Sequence, residues 1–237
     1  MSDLSYMDSN LLRIRDRIEA ARQRRGEEHG NGEITLLAAV KYTDAAHIDY
    51  LHSHLGICDI GENRVQQLLE HWEQIDREGL RVHFIGTLQK NKVKYIIDKV
   101  CMIHSLDSVS LACEIEKQAA KHGLVMDVLV EINSGCEENK SGLHPNEVLD
   151  FCRGLSDFPH IRLRGFMTMA PKCEKNEDYR KYFQETSRQC LDIWQKNLHN
   201  IGRPVLSMGM SGSFEAAIEE GADIVRIGRA LFEPSEI

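Results

Sequence analysis

Residues Leu206–Arg229 read LSMGMSGSFEAAIEEGADIVRIGR, and this stretch decides the fold. A short apolar strand, Val205–Met208, is expected first, with a turn over Gly209–Ser213. A helix over Phe214–Glu220 then stops at Gly221, the residue type that most easily takes the left-handed position after a helix. A second strand, Ile224–Ile227, follows at once and ends on Gly228-Arg229. The turn before the helix carries Ser211, Gly212 and Ser213. Amide groups at a helix start are unpaired and electropositive, so the turn suits an anion, most naturally a phosphate. A plain strand–turn–helix–strand unit with a serine cap fits the same letters.

Composition sets the outer bounds. The chain has 237 residues, 42% hydrophobic and 28% charged, as in an ordinary soluble globular protein. A net charge of −8 argues against a nucleic-acid surface. No apolar run approaches the length of a membrane span, and the N-terminus MSDLSYMDSN lacks the hydrophobic core of a signal peptide. The seven cysteines are scattered with no C-x-x-C pair, which points away from a disulfide framework or a zinc site and toward the reducing cytoplasm.

Strand and helix alternate along the chain. A leading helix is expected over Asn10–Arg25, with Leu11, Ile14, Ile18 and Ala21 on one stripe and six arginines around it. Gly26–Gly32 is a loop, and the apolar run Ile34–Val40 is a strand buried on both faces. The expected pairs are then helix Asp44–Leu55 with strand Ile57–Ile60, helix Arg64–Arg77 with strand Val82–Ile85, and helix Lys90–Lys99 with strand Val100–His104. Helix Val109–His122, strand Val125–Ile132, helix Asn146–Leu155, strand Ile161–Met169 and a long helix Glu177–Leu198 complete the series. Eight strands, each but the last followed by a helix, are the arithmetic of a single (β/α)8 TIM barrel over residues 1–237, with residues 1–30 as a leading helix and loop. The chain stops too soon after the eighth strand for a full eighth helix, and the leading helix can fill that place. A doubly wound open sheet is the alternative, but LLAAVKYTD lacks the Gly-rich first turn.

In such barrels the active site lies at the C-terminal strand ends, with phosphate sites after strands seven and eight, where the Ser211 turn falls. Lys41 ends strand one, as either a solvated exit residue or an amine that attacks a carbonyl. Gly61-Glu62-Asn63 follows strand two. His83 lies within strand three, where a hydrogen-bonded interior role is more usual than a general base. Arg226 alternates with Val225 and Ile227, so it points into the barrel and needs an acceptor, a carboxylate or a ligand.

Seven co-linear segments carry a family resemblance: LLAAVK around Lys41, GENRVQQ (Gly61–Gln67), HFIGTLQKNK (His83–Lys92), EINSGCEENKSG (Glu131–Gly142), LRGFMTMAP (Leu163–Pro171), LSMGMS (Leu206–Ser211) and VRIGRALF (Val225–Phe232). With them the chain resembles the pyridoxal phosphate homeostasis family, whose barrel is similar to the N-terminal domain of alanine racemase. The resemblance implies pyridoxal 5′-phosphate held as a Schiff base on Lys41, with phosphate contacts on Ser211, Gly228 and Arg229. It also places Arg226 at the pyridine nitrogen and adds Asn63, His83 and Met208 to the pocket. It implies no catalytic residue and no metal, and a monomeric cytoplasmic carrier of vitamin B6 cofactor that hands it to apoenzymes depending on it. A Schiff-base barrel enzyme of racemase or aldolase type is the alternative, and a cofactor-free interaction protein is a third reading. An arginine at the ring nitrogen keeps it unprotonated, whereas a carboxylate there makes the ring a strong electron sink. The chain departs from the family pattern at Arg229, in place of a small hydroxyl residue, at Tyr42-Thr43-Asp44, and at Gly212-Ser213.

Overall fold

Short apolar runs bounded by helices pair side by side in parallel. The computed structural model describes residues 4–41, 43–196 and 203–234, so Tyr42 and the far end of the helix expected to reach Leu198 lie outside it. Among the described residues the strands β1 (Thr35–Ala39), β2 (Asp59–Glu62), β3 (Arg81–Phe84), β4 (Met102–Leu106), β5 (Met126–Ile132), β6 (Ile161–Thr168), β7 (Val205–Met210) and β8 (Ile224–Ile227) close into one parallel barrel in chain order. Helices α1 (Tyr6–Gln23), α2 (Ala45–Asp49), α3 (Val65–Trp72), α4 (Val93–Ile96), α5 (Val109–His122), α6 (Val148–Gly154), α7 (Asn176–Gln195), α8 (Phe214–Glu219) and α9 (Arg229–Phe232) surround it. The principal core lies between sheet and helices, where Ile60, Phe84, Val128, Phe166, Leu206 and Val225 meet Leu68, Ile115, Phe183 and Ile218.

Two strands sit two residues later than their apolar letters suggest. Ile57 and Val100 close the preceding helical turns through Ile57 N–H to Leu51 O and Val100 N–H to Ile96 O, so they are helix ends packed into the core. The strands instead run on through Gly61-Glu62 and Ser105-Leu106. The segment expected as helix Lys90–Lys99 is a tight turn over Lys90–Lys92 followed by α4, and the α2 helix widens to i→i+5 bonding over Tyr50–His54. β7 also reaches further than expected, through Gly209-Met210.

The leading helix fills the gap beside the short α9. Asn10 is buried and its Nδ2 donates to the carbonyls of Leu231 and Glu233, and the Tyr6 hydroxyl donates to Phe232 O. These are the carbonyls that the end of α9 leaves without helical partners. The expected arginine-rich face docks rather than merely solvating. Arg17 pairs with Glu215 at 2.9 Å and Arg24 with Glu219 at 2.7 Å. The Arg25 side chain is fully enclosed and donates to Ala222 O, Gly221 O and His29 O. At the end of α8, Gly221 adopts φ 102°, as its sequence position requires.

One close approach tests the barrel's closure. A Cβ on Gly165 would lie 2.0 Å from the backbone oxygen of Val205 across the β6–β7 seam. Gly165→Ala is therefore expected to cost about 3 kcal/mol, the upper end for overpacking, because the obstacle is backbone. That corresponds to a fall of roughly 6–12 °C in Tm for a chain of this size. Gly32→Ala, with no atom within 4 Å of its Cβ, is the neutral control. Equal melting of the two variants in a differential scanning experiment overturns this account of the seam.

Candidate functional site

Side chains alternate faces along a strand. Leu37 and Ala39 of β1 cluster with Ile85, Ile224 and Val205 in a small interior layer separate from the outer core. A Cβ on Gly61 would strike Leu37 and Ile85, so Gly61 also faces inward. The same parity carries the next residues upward to the C-terminal mouth: Lys41 above Ala39, Asn63 above Gly61, Arg226 and Gly228 above Ile224. Register brings these ends together, since Ala38 pairs with Ile227 and Ala39 with Gly61.

Lys41 is exposed at this mouth, on a turn held by several bonds. Thr43 N–H and Oγ1–H both donate to Val40 O, and Gln67 Nε2 donates to the same carbonyl at 3.4 Å. His71 Nε2 lies 3.1 Å from Thr43 O, and because a carbonyl only accepts, that nitrogen carries a proton. His71 Nδ1 lies 2.6 Å from the buried Glu62 Oε1. Burial raises the Glu62 carboxyl above its usual value against the pull of His71, and the bond to Glu62 raises His71. The buried pair thus latches α3 to the Lys41 turn.

Asn63 is shaped by its neighbour. A Cβ on Gly86 would come 2.1 Å from Asn63 O, so only glycine lets the turn after β3 rest on the turn after β2. The Asn63 Oδ1 is buried with no hydrogen-bond partner among the described residues, an open polar position in the mouth.

Arg226 is buried inside the barrel, as its alternation requires. Its acceptors differ from the expected carboxylate or ligand: Nη1 donates to Ser207 O at 2.7 Å and Ser207 Oγ at 2.8 Å, and Nη2 to Thr168 O at 2.9 Å. The Nε hydrogen and one Nη2 hydrogen remain for another acceptor. Burial lowers its pKa to about 10 and Glu131 opposes the fall, so the group stays charged at neutral pH. Glu131 itself is buried, raised by desolvation, and accepts from Ser141 Oγ at 2.8 Å.

The two turns of the opening stretch meet. Ser211 Oγ accepts from Ala230 N–H at 3.4 Å, which ties the β7–α8 turn to the start of α9. The amides of Ser211, Gly212 and Arg229 make no hydrogen bond to protein among the described residues. Ser213 does not cap its helix; its hydroxyl accepts from Met210 N–H instead.

Three expected residues stand differently from their sequence reading. Met208 is buried in the outer core beside Leu206, because alternation on β7 turns Val205 and Ser207 inward, and a register shift after Ser207 leaves Gly209 against Phe214 and Ala217 of α8. His83 has Nε2 3.0 Å from Asp59 Oδ1 and Nδ1 3.0 Å from His104 Nε2, so neither ring nitrogen is left for a ligand. Arg229 is exposed and lines a hollow of about 320 Å³ with Asn10, Arg13 and Arg17 of α1. Lys41, Asn63, Ser211, Arg226 and Gly228 do converge. His71, Ser207 and His104 carry no sequence-based expectation and Glu62 is given no role by its letters; the GENRVQQ run with His71 on the following helix is the available signal.

Residues 5–236 match the family model for the alanine racemase N-terminal domain. A pyridoxal phosphate homeostasis protein of Aquifex aeolicus (strain VF5) is 44% identical over 222 residues, 94% of this chain and 95% of its own. A protein described as unknown from Bifidobacterium adolescentis superposes with a TM-score of 0.85 at 31% identity, over 98% of this chain and 97% of that one. PipY of Synechococcus elongatus PCC7942, solved with PLP bound, gives a TM-score of 0.78 at 27% identity over 92% and 98%. The mouth of this barrel therefore sits in a known lineage: the chain belongs to the pyridoxal phosphate homeostasis protein family, built on the alanine racemase N-terminal domain.

Proposed function

We propose that the chain binds pyridoxal 5′-phosphate at the C-terminal mouth of its barrel and serves cytoplasmic homeostasis of that cofactor as a monomeric, non-catalytic carrier that passes it to dependent apoenzymes. The observation that carries this reading is the joined pair of turns, Ser211 Oγ to Ala230 N–H, with its unpaired amides beside the Lys41 turn. The donor set fits the group. Amides and a hydroxyl suit the phosphate, the partnerless Asn63 Oδ1 leaves a polar position on the wall, and Arg226 keeps two donors. When bound, the cofactor supplies a reactive aldehyde and an electron-withdrawing ring.

Each residue's part follows from its chemistry. Lys41 supplies the amine that joins the aldehyde, as a Schiff base. Ser211 and the amides of Gly212, Gly228 and Arg229 hold the phosphate. Arg226 donates toward the ring nitrogen and cannot give up its own proton near neutral pH, so the nitrogen stays unprotonated and the ring is a weak electron sink. That electronic setting supports carriage over catalysis.

Borohydride reduction of the loaded protein is expected to leave a pyridoxyl group on Lys41, read by peptide mass spectrometry. Lys41→Ala loses the visible band yet melts within about 2 °C of the parent, the range of an exposed substitution. A label on Lys90, Lys92 or Lys140 instead overturns the assignment.

The phosphate cradle is tested by comparing ligands. Saturation at a hundredfold excess over Kd adds about 2.7 kcal/mol, or roughly 5–11 °C in Tm. Pyridoxal without phosphate is expected to give little of this shift at equal concentration. Because the Arg229 side chain leans toward α1, Arg229→Ala is expected to leave the shift intact. Equal protection by both ligands reduces the opening stretch to an ordinary turn.

The loaded protein is also expected to racemise alanine no faster than free pyridoxal phosphate in the same buffer. Robust racemisation that Lys41→Ala abolishes makes the protein an enzyme and overturns the carrier reading.

A further inference from the structure

A barrel of this type is ordinarily filled with branched aliphatic side chains. Here a row of polar groups crosses it, all buried: Arg226, Ser207, His104, His83 and Asp59. The contacts are Arg226 Nη1 to Ser207 Oγ at 2.8 Å, Ser207 Oγ to His104 Nδ1 at 3.1 Å, His104 Nε2 to His83 Nδ1 at 3.0 Å, and His83 Nε2 to Asp59 Oδ1 at 3.0 Å. The mouth-side end is the arginine. The other end is at the barrel floor, where Asp59 begins β2 and also accepts from Arg81.

The two ends fix the direction of every bond between them. A guanidinium only donates and a carboxylate only accepts. With neutral imidazoles, Asp59 takes the His83 Nε2 proton, so His83 Nδ1 must accept from His104 Nε2. His104 Nδ1 must then accept from the serine hydroxyl, whose oxygen in turn accepts from Arg226. Each of the four contacts receives one proton with both imidazoles neutral. Burial pushes the Asp59 carboxyl up, but His83 and Arg81 together hold it down to about 2, so the accepting end stays ionised. Burial, His83 and Arg226 all disfavour a charge on His104.

We infer that Ser207, His104, His83 and Asp59 form a one-way hydrogen-bond relay that fixes the plane of Arg226 and turns its two remaining N–H groups toward the ring nitrogen of the bound cofactor. This rests on the proposed reading that Arg226 faces that nitrogen. His104 and His83 are positioning residues: neither touches the ligand, and both act through Ser207 on the guanidinium. Chains of hydrogen bonds in a poorly polarisable interior strengthen one another, so removing a middle member weakens the arginine's anchorage from the far side. The relay also explains why His83 has no nitrogen for the ligand.

Two measurements test the relay. The first needs no cofactor: long-range proton–nitrogen NMR of the neutral histidine rings is expected to show the single proton of His104 and that of His83 each on Nε2. An Nδ1–H tautomer on either ring overturns the relay. The second uses the protein loaded with pyridoxal 5′-phosphate and follows the pH midpoint of its visible band. His104→Leu and the smaller Ser207→Ala are each expected to move that midpoint by about one unit, a tenfold change in the equilibrium. His104→Gln, which keeps one acceptor and one donor, restores it. Ser207→Ala carries the test if His104→Leu does not fold. Arg226→Gln separates the two ideas. If it leaves the midpoint unmoved, the reading of Arg226 fails. If it moves the midpoint while Ser207→Ala and His104→Leu do not, the relay alone fails.

Discussion

A charged guanidinium in the middle of a closed barrel is the constraint around which this interior is arranged. Taking such a charge out of water is expensive, and a carboxylate partner would bring its own desolvation cost. Arg226 instead takes backbone carbonyls and a hydroxyl as acceptors, from β6 and β7. That choice propagates. Ser207 replaces an aliphatic residue, His104 must then accept from it, and His83 and Asp59 follow across the barrel. The aliphatic interior shrinks to Leu37, Ile85 and Ile224, with Ala39 and Val205 at its margin. Most of the hydrophobic stabilisation therefore comes from the layer between strands and helices, where Phe84, Phe166, Phe183 and Phe214 are nearly fully enclosed.

The same arrangement explains which parts of the chain could be read from its letters. Strands β1, β5, β6 and β8 carry apolar runs on their outward faces, and their bounds agree with those runs to within about a residue. β2 and β4 lie later than their letters suggest because their inward residues are Asp59, Gly61 and His104, so the most apolar letters belong to the helix ends before them. Arg226 was legible because an arginine between Val225 and Ile227 has few places to go. Its acceptors were not, since Thr168 and Ser207 serve through backbone oxygens that leave no mark in sequence. Met208 shares a segment with inward-facing Ser207 but turns to the other side of the strand, so a resemblance carried by the whole segment does not place its side chain.

The Lys41 turn shows a subtler limit. Glu62 stands between Gly61 and Asn63 at the end of strand two, yet its carboxylate reaches His71 in the next helix and through it the carbonyl of Thr43. Nothing in local spacing announces a contact between the second strand end and the first. The protonated Nε2 forced by Thr43 leaves two states for the pair, imidazolium with carboxylate or neutral imidazole with carboxylic acid, and both keep the latch to Thr43 intact. The turn that presents the lysine is thereby insulated from which of the two ionises.

Arg229 illustrates how a departure from a family pattern can be absorbed. On the proposed reading the phosphate is held by amides and by Ser211, while the side chain at position 229 leans over α1 beside Arg13 and Arg17. Exchanging a small hydroxyl for arginine then removes one donor and leaves the amide that precedes it in place. The tie between Ser211 Oγ and Ala230 N–H does not depend on that side chain either, so the two turns keep their spacing whatever residue stands there. A cradle made mostly of backbone constrains sequence where a side chain would block the anion or break the turn, and Arg229 does neither.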